Sequence, residues 1–155
     1  MNLKWKELIV SIAISLGVGA LAGYLIRGSV ALYSDLIKPP LSPPSFIFPI
    51  VWTILYVLMG ISAYMIYVSG SEDVKEALKV YGLQLFLNFL WSLVFFNMQA
   101  YLLAFIILCL LLFTIYIMIE RFGAINLTAA KLQIPYLLWV MFAGYLNLAI
   151  VFLNK

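Results

Sequence analysis

Ala100-Tyr101-Leu102-Leu103-Ala104-Phe105-Ile106-Ile107-Leu108-Cys109-Leu110-Leu111-Leu112-Phe113-Thr114-Ile115-Tyr116-Ile117-Met118-Ile119 carries no charged side chain. About 20 apolar residues is the length of helix that crosses a bilayer. The stretch is apolar on every face and does not alternate over about ten residues, so it reads as a spanning helix rather than a barrel strand. Glu120-Arg121-Phe122-Gly123 follows it, and Gly123 is the expected C-cap. Similar runs cover residues 8–26, 46–68, 77–96 and 127–153. The chain therefore reads as an all-α integral membrane protein, a single bundle of five spans over residues 1–155. The expected helices are about 7–27, 46–69, 76–97, 99–121 and 127–153.

Composition agrees. Of 155 residues, 66% are hydrophobic and 10% charged, against about 45–50% and 25% in soluble domains. So small a chain has too much surface to hide that apolar fraction in water. A soluble enzyme, a disordered tail and a disulfide scaffold are excluded. The net charge of +3 rests on nine basic and six acidic residues, which is not the footprint of a nucleic-acid binder. With one cysteine, Cys109, and no histidine, the chain offers no internal disulfide, no His-based catalysis and no metal centre. No metal and no cofactor is expected.

Ala20-Leu21-Ala22 looks like a signal-peptide cleavage site, but the first run is too long for such a segment and continues past it. It is read as a retained span. Ser69-Gly70-Ser71-Glu72-Asp73 is a polar turn before span three. Asn97-Met98-Gln99 is so short that spans three and four form an antiparallel hairpin. Asn126 or Thr128 caps span five, and Pro135 kinks it or frees a carbonyl for a neighbour. Five spans place the termini on opposite sides. Lys4, Lys6, Lys75, Lys79, Arg121 and Lys131 share the N-terminal side, against Arg27, Lys38 and Lys155 on the other. This balance points to a cytoplasmic N-terminus.

One connection is long, residues 28–45, and holds Pro39, Pro40, Pro43 and Pro44. Proline stiffens it. On composition it is equally a lid over a site or a plain linker.

The spans hold no carboxylate and no buried lysine or arginine, which argues against a proton- or ion-coupled pump. The expectation is a cavity without ionisable groups. Gln84, Asn88, Trp91, Ser92 and Phe95 share a face of span three. Trp52, Tyr56 and Met59 share one on span two. Trp139, Ala143 and Asn147 lie at i, i+4 and i+8 on span five, where Ala143 leaves room beside the indole. These stripes suit a pocket for a flat, largely apolar molecule, but by themselves they favour plain helix packing with amides as glue. On span one, Gly17, Gly19 and Gly23 include a GxxxG spacing, which serves either packing within the chain or dimerisation.

The run from Lys38-Pro39-Pro40-Leu41-Ser42-Pro43-Pro44 through Phe48-Pro49-Ile50-Val51-Trp52-Thr53-Ile54-Leu55-Tyr56 to Met59-Gly60 resembles the signature of the translocator protein family. Its members are also called tryptophan-rich sensory proteins or peripheral-type benzodiazepine receptors. Gln84-Leu85-Phe86-Leu87-Asn88-Phe89-Leu90-Trp91-Ser92-Leu93-Val94-Phe95-Phe96 resembles the family's third-helix motif, and Tyr136-Leu137-Leu138-Trp139-Val140-Met141-Phe142-Ala143-Gly144-Tyr145-Leu146-Asn147 its fifth.

The resemblance implies a five-helix bundle, usually homodimeric, with a ligand cavity under the first loop. It implies binding of porphyrins such as protoporphyrin IX and of synthetic isoquinoline carboxamide or benzodiazepine-type ligands. Carried over, the pocket residues are Trp52, Tyr56, Asn88, Trp91, Ser92, Trp139 and Ala143, with Asn147 on the same face. Pro40, Pro43 and Pro44 shape the lid, and Tyr33 contributes from the loop. Relatives linked to light- and oxygen-dependent porphyrin breakdown suggest that role for Trp52 and Trp139. The compact length implies a member from a bacterial cell membrane. Tyr145 is followed by no basic residue before Lys155, so the family's cholesterol motif is not met. The expected function is a porphyrin receptor or sensor. The alternatives are a passive carrier of tetrapyrroles and a structural protein whose cavity is incidental.

Overall fold

The computed structural model describes residues 2–155. It contains seven helices and, among the described residues, no strand. Five helical stretches are long and apolar enough to cross a membrane. They begin with α1 (Trp5–Ile26), followed by the short α2 (Val30–Ser34) in the first connection. Next come α3 (Ile47–Tyr67), α4 (Val74–Ser92) and α5 (Tyr101–Ile125). The last span is α6 (Leu127–Leu132) continued by α7 (Ile134–Leu153).

The spans close into a ring. α1 packs along α3 and touches α4, α4 packs on α5, α5 on both α6 and α7, and α3 on α6. α3 and α4 also touch each other, and every span keeps one outer face for lipid. On α5, Leu102, Ile106, Leu110 and Phe113 point outward, while Ala104, Leu108, Leu111, Ile115, Met118 and Phe122 are buried. Both faces are apolar, which is why the quoted stretch shows no amphipathic pattern.

Lipid gives apolar faces no reason to leave it, so packing rests on close approach and buried hydrogen bonds. The α1–α3 seam shows both. A Cβ on Gly60 would lie 2.5 Å from the Cα of Ile12. Beside it, Ser11 Oγ donates to the Gly60 carbonyl at 2.7 Å and Ser15 Oγ to the Tyr56 carbonyl at 2.6 Å. Ser62 Oγ ties α3 to α6 through the Ala129 carbonyl at 2.7 Å.

Four details depart from the sequence reading. The first connection is not one loop, because α2 occupies its middle. Gly123 is not a cap: α5 runs on to Ile125, and Asn126 caps α6 by accepting from the Ala129 amide at 3.2 Å. The fifth span is two helices, broken at Gln133. Pro135 then stands in the first turn of α7, where its missing N–H has no partner to lose. Finally, α4 ends in a wider π-turn over Leu93–Asn97, with the Met98 amide donating five residues back to Leu93 at 3.1 Å.

Candidate functional site

The interior half-way to the C-terminal side holds a cavity of about 570 Å³, within the range of small-molecule sites. α1 contributes Leu16, Gly19, Ala20, Gly23 and Ile26, which gives one smooth wall of small and aliphatic groups. The other walls are aromatic. Trp52 and Tyr56 come from α3, Trp91, Phe95 and Phe96 from the end of α4, and Trp139 from α7. The rings form a continuous lining. Trp52 lies 5.8 Å from Tyr56 and 6.4 Å from Trp91, Trp91 lies 5.5 Å from Phe95, and Phe48 lies 5.9 Å from Trp139.

The amides set the depth and angle of these rings. Trp91 Nε1 donates to Asn147 Oδ1 at 3.0 Å, and Asn147 Nδ2 donates on to the Tyr101 carbonyl at 2.9 Å. At the floor of the cavity, Asn88 Nδ2 donates to the Tyr136 hydroxyl at 2.9 Å, and that hydroxyl donates to Gln84 Oε1 at 2.6 Å. Gln84, Asn88, Trp91, Tyr136 and Asn147 are buried, and Tyr101 is partly buried. Unpaired amides in an apolar interior are costly, so the network fixes α4 against α5 and α7. Trp91 thus spends its N–H on the protein. Trp52 and Trp139 make no such bond among the described residues and are free to donate to a guest.

The cover is tied down at both ends. Asn154, just past α7, accepts from the Ile37 amide at 2.9 Å and donates to the Ile37 carbonyl at 2.8 Å. Tyr145 Oη donates to the Pro40 carbonyl at 2.8 Å. On the other side, Ser29 Oγ donates to Asn97 Oδ1 at 2.6 Å. Tyr33 of α2 reaches in between, 5.7 Å from Phe96 and 6.2 Å from Phe48. Burial pushes its phenol above the usual tyrosine value, so it stays a neutral hydroxyl.

This geometry brings Tyr33, Trp52, Tyr56, Asn88, Trp91, Ser92, Trp139, Ala143 and Asn147 to one cavity. Pro40, Pro43 and Pro44 are not in its lining. The connection contributes Val30, Tyr33 and Ser45, the first turn of α3 adds Phe48 and Pro49, and the Pro40 carbonyl is held by Tyr145. Gln84 lies below the floor. Gly19 packs within the chain: a Cβ there would lie 2.6 Å from Tyr56 Cδ2, whereas Gly17 and Gly23 have nothing within 4 Å of that point. Gly23 lines the cavity.

The sequence reading missed Phe48, Phe96 and Arg27. Phe48 and Phe96 are adjacent in pattern to residues it named, and the π-turn explains Phe96. A wider turn rotates the face, so consecutive Phe95 and Phe96 both reach the cavity. Arg27 corrects the expectation of a lining without ionisable groups. A second, wholly apolar groove of about 470 Å³ lies between α3 and α7, with Trp139 in its wall as well.

The family model described as TspO/MBR matches residues 11–153, nearly the whole bundle. The chain belongs to the TspO/MBR family. It is 35% identical to a tryptophan-rich protein TspO of Chlorobaculum tepidum over 99% of both chains. It is 34% identical to the Archaeoglobus fulgidus protein of that name, over 96% of this chain and 97% of the other. It is 36% identical to the translocator protein of Bos taurus, over 86% of this chain and 80% of that one. TspO/MBR membership and the five spans make this a multi-pass protein of a membrane sensor and transporter family.

Proposed function

We propose that the chain is a membrane receptor for porphyrins and related flat apolar molecules, with protoporphyrin IX as the reference ligand. The observation that carries this reading is the cavity itself: a site of about 570 Å³ walled by three indoles and five other aromatic rings, under a tethered cover. Flat rings stack offset or edge-on against such walls, and the exclusion of water raises the gain per unit area. Synthetic isoquinoline carboxamide and benzodiazepine-type ligands share this flat shape and belong to the same class of guests. The N-terminus faces the cytoplasm in this reading, and the protein pairs as a homodimer through an outer face such as that of Gly17.

The same walls support light-driven degradation. Trp52 and Trp139 face the guest with unengaged N–H groups. An excited porphyrin held against them takes an electron from indole, and dioxygen is the terminal oxidant. The full-length protein is titrated with protoporphyrin IX in darkness, following tryptophan fluorescence, and then illuminated. Saturable quenching and a new absorbing product are expected. Trp52→Phe with Trp139→Phe keeps the dark binding and slows product formation at least tenfold. An unchanged photochemical rate in that variant removes the tryptophans from the mechanism, and absent quenching in the parent protein removes the receptor reading.

A further inference from the structure

Arg27 alone is charged among the side chains that line the cavity. It stands at the end of α1, on the rim. Its Nη1 donates to the Tyr24 carbonyl at 2.7 Å, and its Cζ lies 3.7 Å from the centre of the Tyr24 ring. These contacts park the guanidinium at the rim and use one of its donors. The one ion pair among the described residues is Lys79 with Glu76, at 3.3 Å on the opposite end of the bundle. Arg27 has no carboxylate partner.

Deeper in, every lining group is neutral, and the amide donors are already engaged by Tyr136 and Tyr101. The site therefore has a neutral aromatic floor and a cationic rim. A carboxylate is strongly disfavoured in the floor. At the rim a planar guanidinium fork matches it, half in water.

We propose that Arg27 binds the carboxylate of the ligand, so that the site selects flat apolar molecules bearing an acid group at one edge, seated acid outward. This rests on the receptor reading above and adds the charge and orientation of the guest. An anion on the ligand and the phosphate of a lipid headgroup share the chemistry that Arg27 recognises. The experiment separates them.

Full-length protein in phosphatidylcholine nanodiscs is titrated with protoporphyrin IX and with its dimethyl ester, by tryptophan quenching in darkness. The acid is expected to bind about tenfold tighter than the ester, the size of one exposed charge-assisted pair. Arg27→Gln removes that difference by weakening the acid and leaving the ester unchanged. Lys79→Gln, an equal loss of charge at the far end, preserves it. An acid-to-ester ratio unchanged in Arg27→Gln overturns the proposal while both ligands still report the cavity. An unchanged ratio with loss of co-purifying phosphatidylglycerol assigns Arg27 to lipid phosphate and also overturns it. If neither ligand binds the parent protein, the receptor reading fails first and takes this one with it.

Discussion

Gly60→Ala tests what holds α1 in place as a wall of the cavity. The added Cβ would stand 2.5 Å from Ile12 Cα and 3.0 Å from Ile12 N, where carbon atoms in contact prefer about 3.5–4.0 Å. Ile12 Cα belongs to the backbone and no rotamer change relieves the overlap. α1 must therefore back away by about 1 Å or more. That movement stretches the Ser11–Gly60 and Ser15–Tyr56 bonds, which stand at 2.7 and 2.6 Å. Overpacking costs about 1–3 kcal/mol, and interhelical hydrogen bonds in membranes contribute about 0.6 kcal/mol each. The expected destabilisation is about 2–4 kcal/mol, or a Tm lower by roughly 5–15 °C. Thermal unfolding in detergent, followed by tryptophan fluorescence, measures it. Gly17→Ala is the matched control, because nothing lies within 4 Å of its Cβ position, and its Tm should move little. Porphyrin affinity should fall with Gly60→Ala, since Leu16, Gly19 and Gly23 ride on the same helix. Equal Tm values for the two variants would refute the argument that close approach at Gly60 fixes the wall.

Two further outcomes follow from the same contacts. Asn154→Ala with Tyr145→Phe releases the cover at Ile37 and Pro40; with three bonds lost at about 1 kcal/mol each, porphyrin should then dissociate on the order of a hundredfold faster in stopped-flow displacement. Gln133→Leu removes a fully buried amide whose Nε2 and Oε1 have no partner. Its stability should rise by about 1 kcal/mol of relieved desolvation, a Tm higher by roughly 2–4 °C, and a fall would show that the amide is engaged in the membrane.

The sequence was most legible where one residue's surroundings are averaged over a helix. Runs near 20 apolar residues specify spans because backbone polar groups in lipid must be satisfied within the segment, so five spans followed from hydropathy alone. The aromatic and amide stripes were legible as faces, since i, i+3 and i+4 spacing follows from helix geometry. What the faces meet was not. Asn88 and Asn147 read as glue or as ligand contacts, and the structure gives both a packing role, Asn88 on Tyr136 and Asn147 on the Trp91 indole.

The rest depended on distances between helices. Hydropathy is a transfer free energy for single residues and carries no information about which neighbour a side chain meets. The π-turn at the end of α4 brings Phe96 beside Phe95. The break at Gln133 turns one expected helix into two, and the path of the proline segment carries Pro40 out to Tyr145. Arg27 enters the sequence reading only as one of the charges on the side opposite the N-terminus. Only the ring of five spans puts it on the rim of the aromatic cavity, where it becomes the site's one cation. The chain by itself determined that the protein lives in a bilayer and which faces are rich in indole; the close α1–α3 seam and the buried amide network decided that those faces enclose a single space.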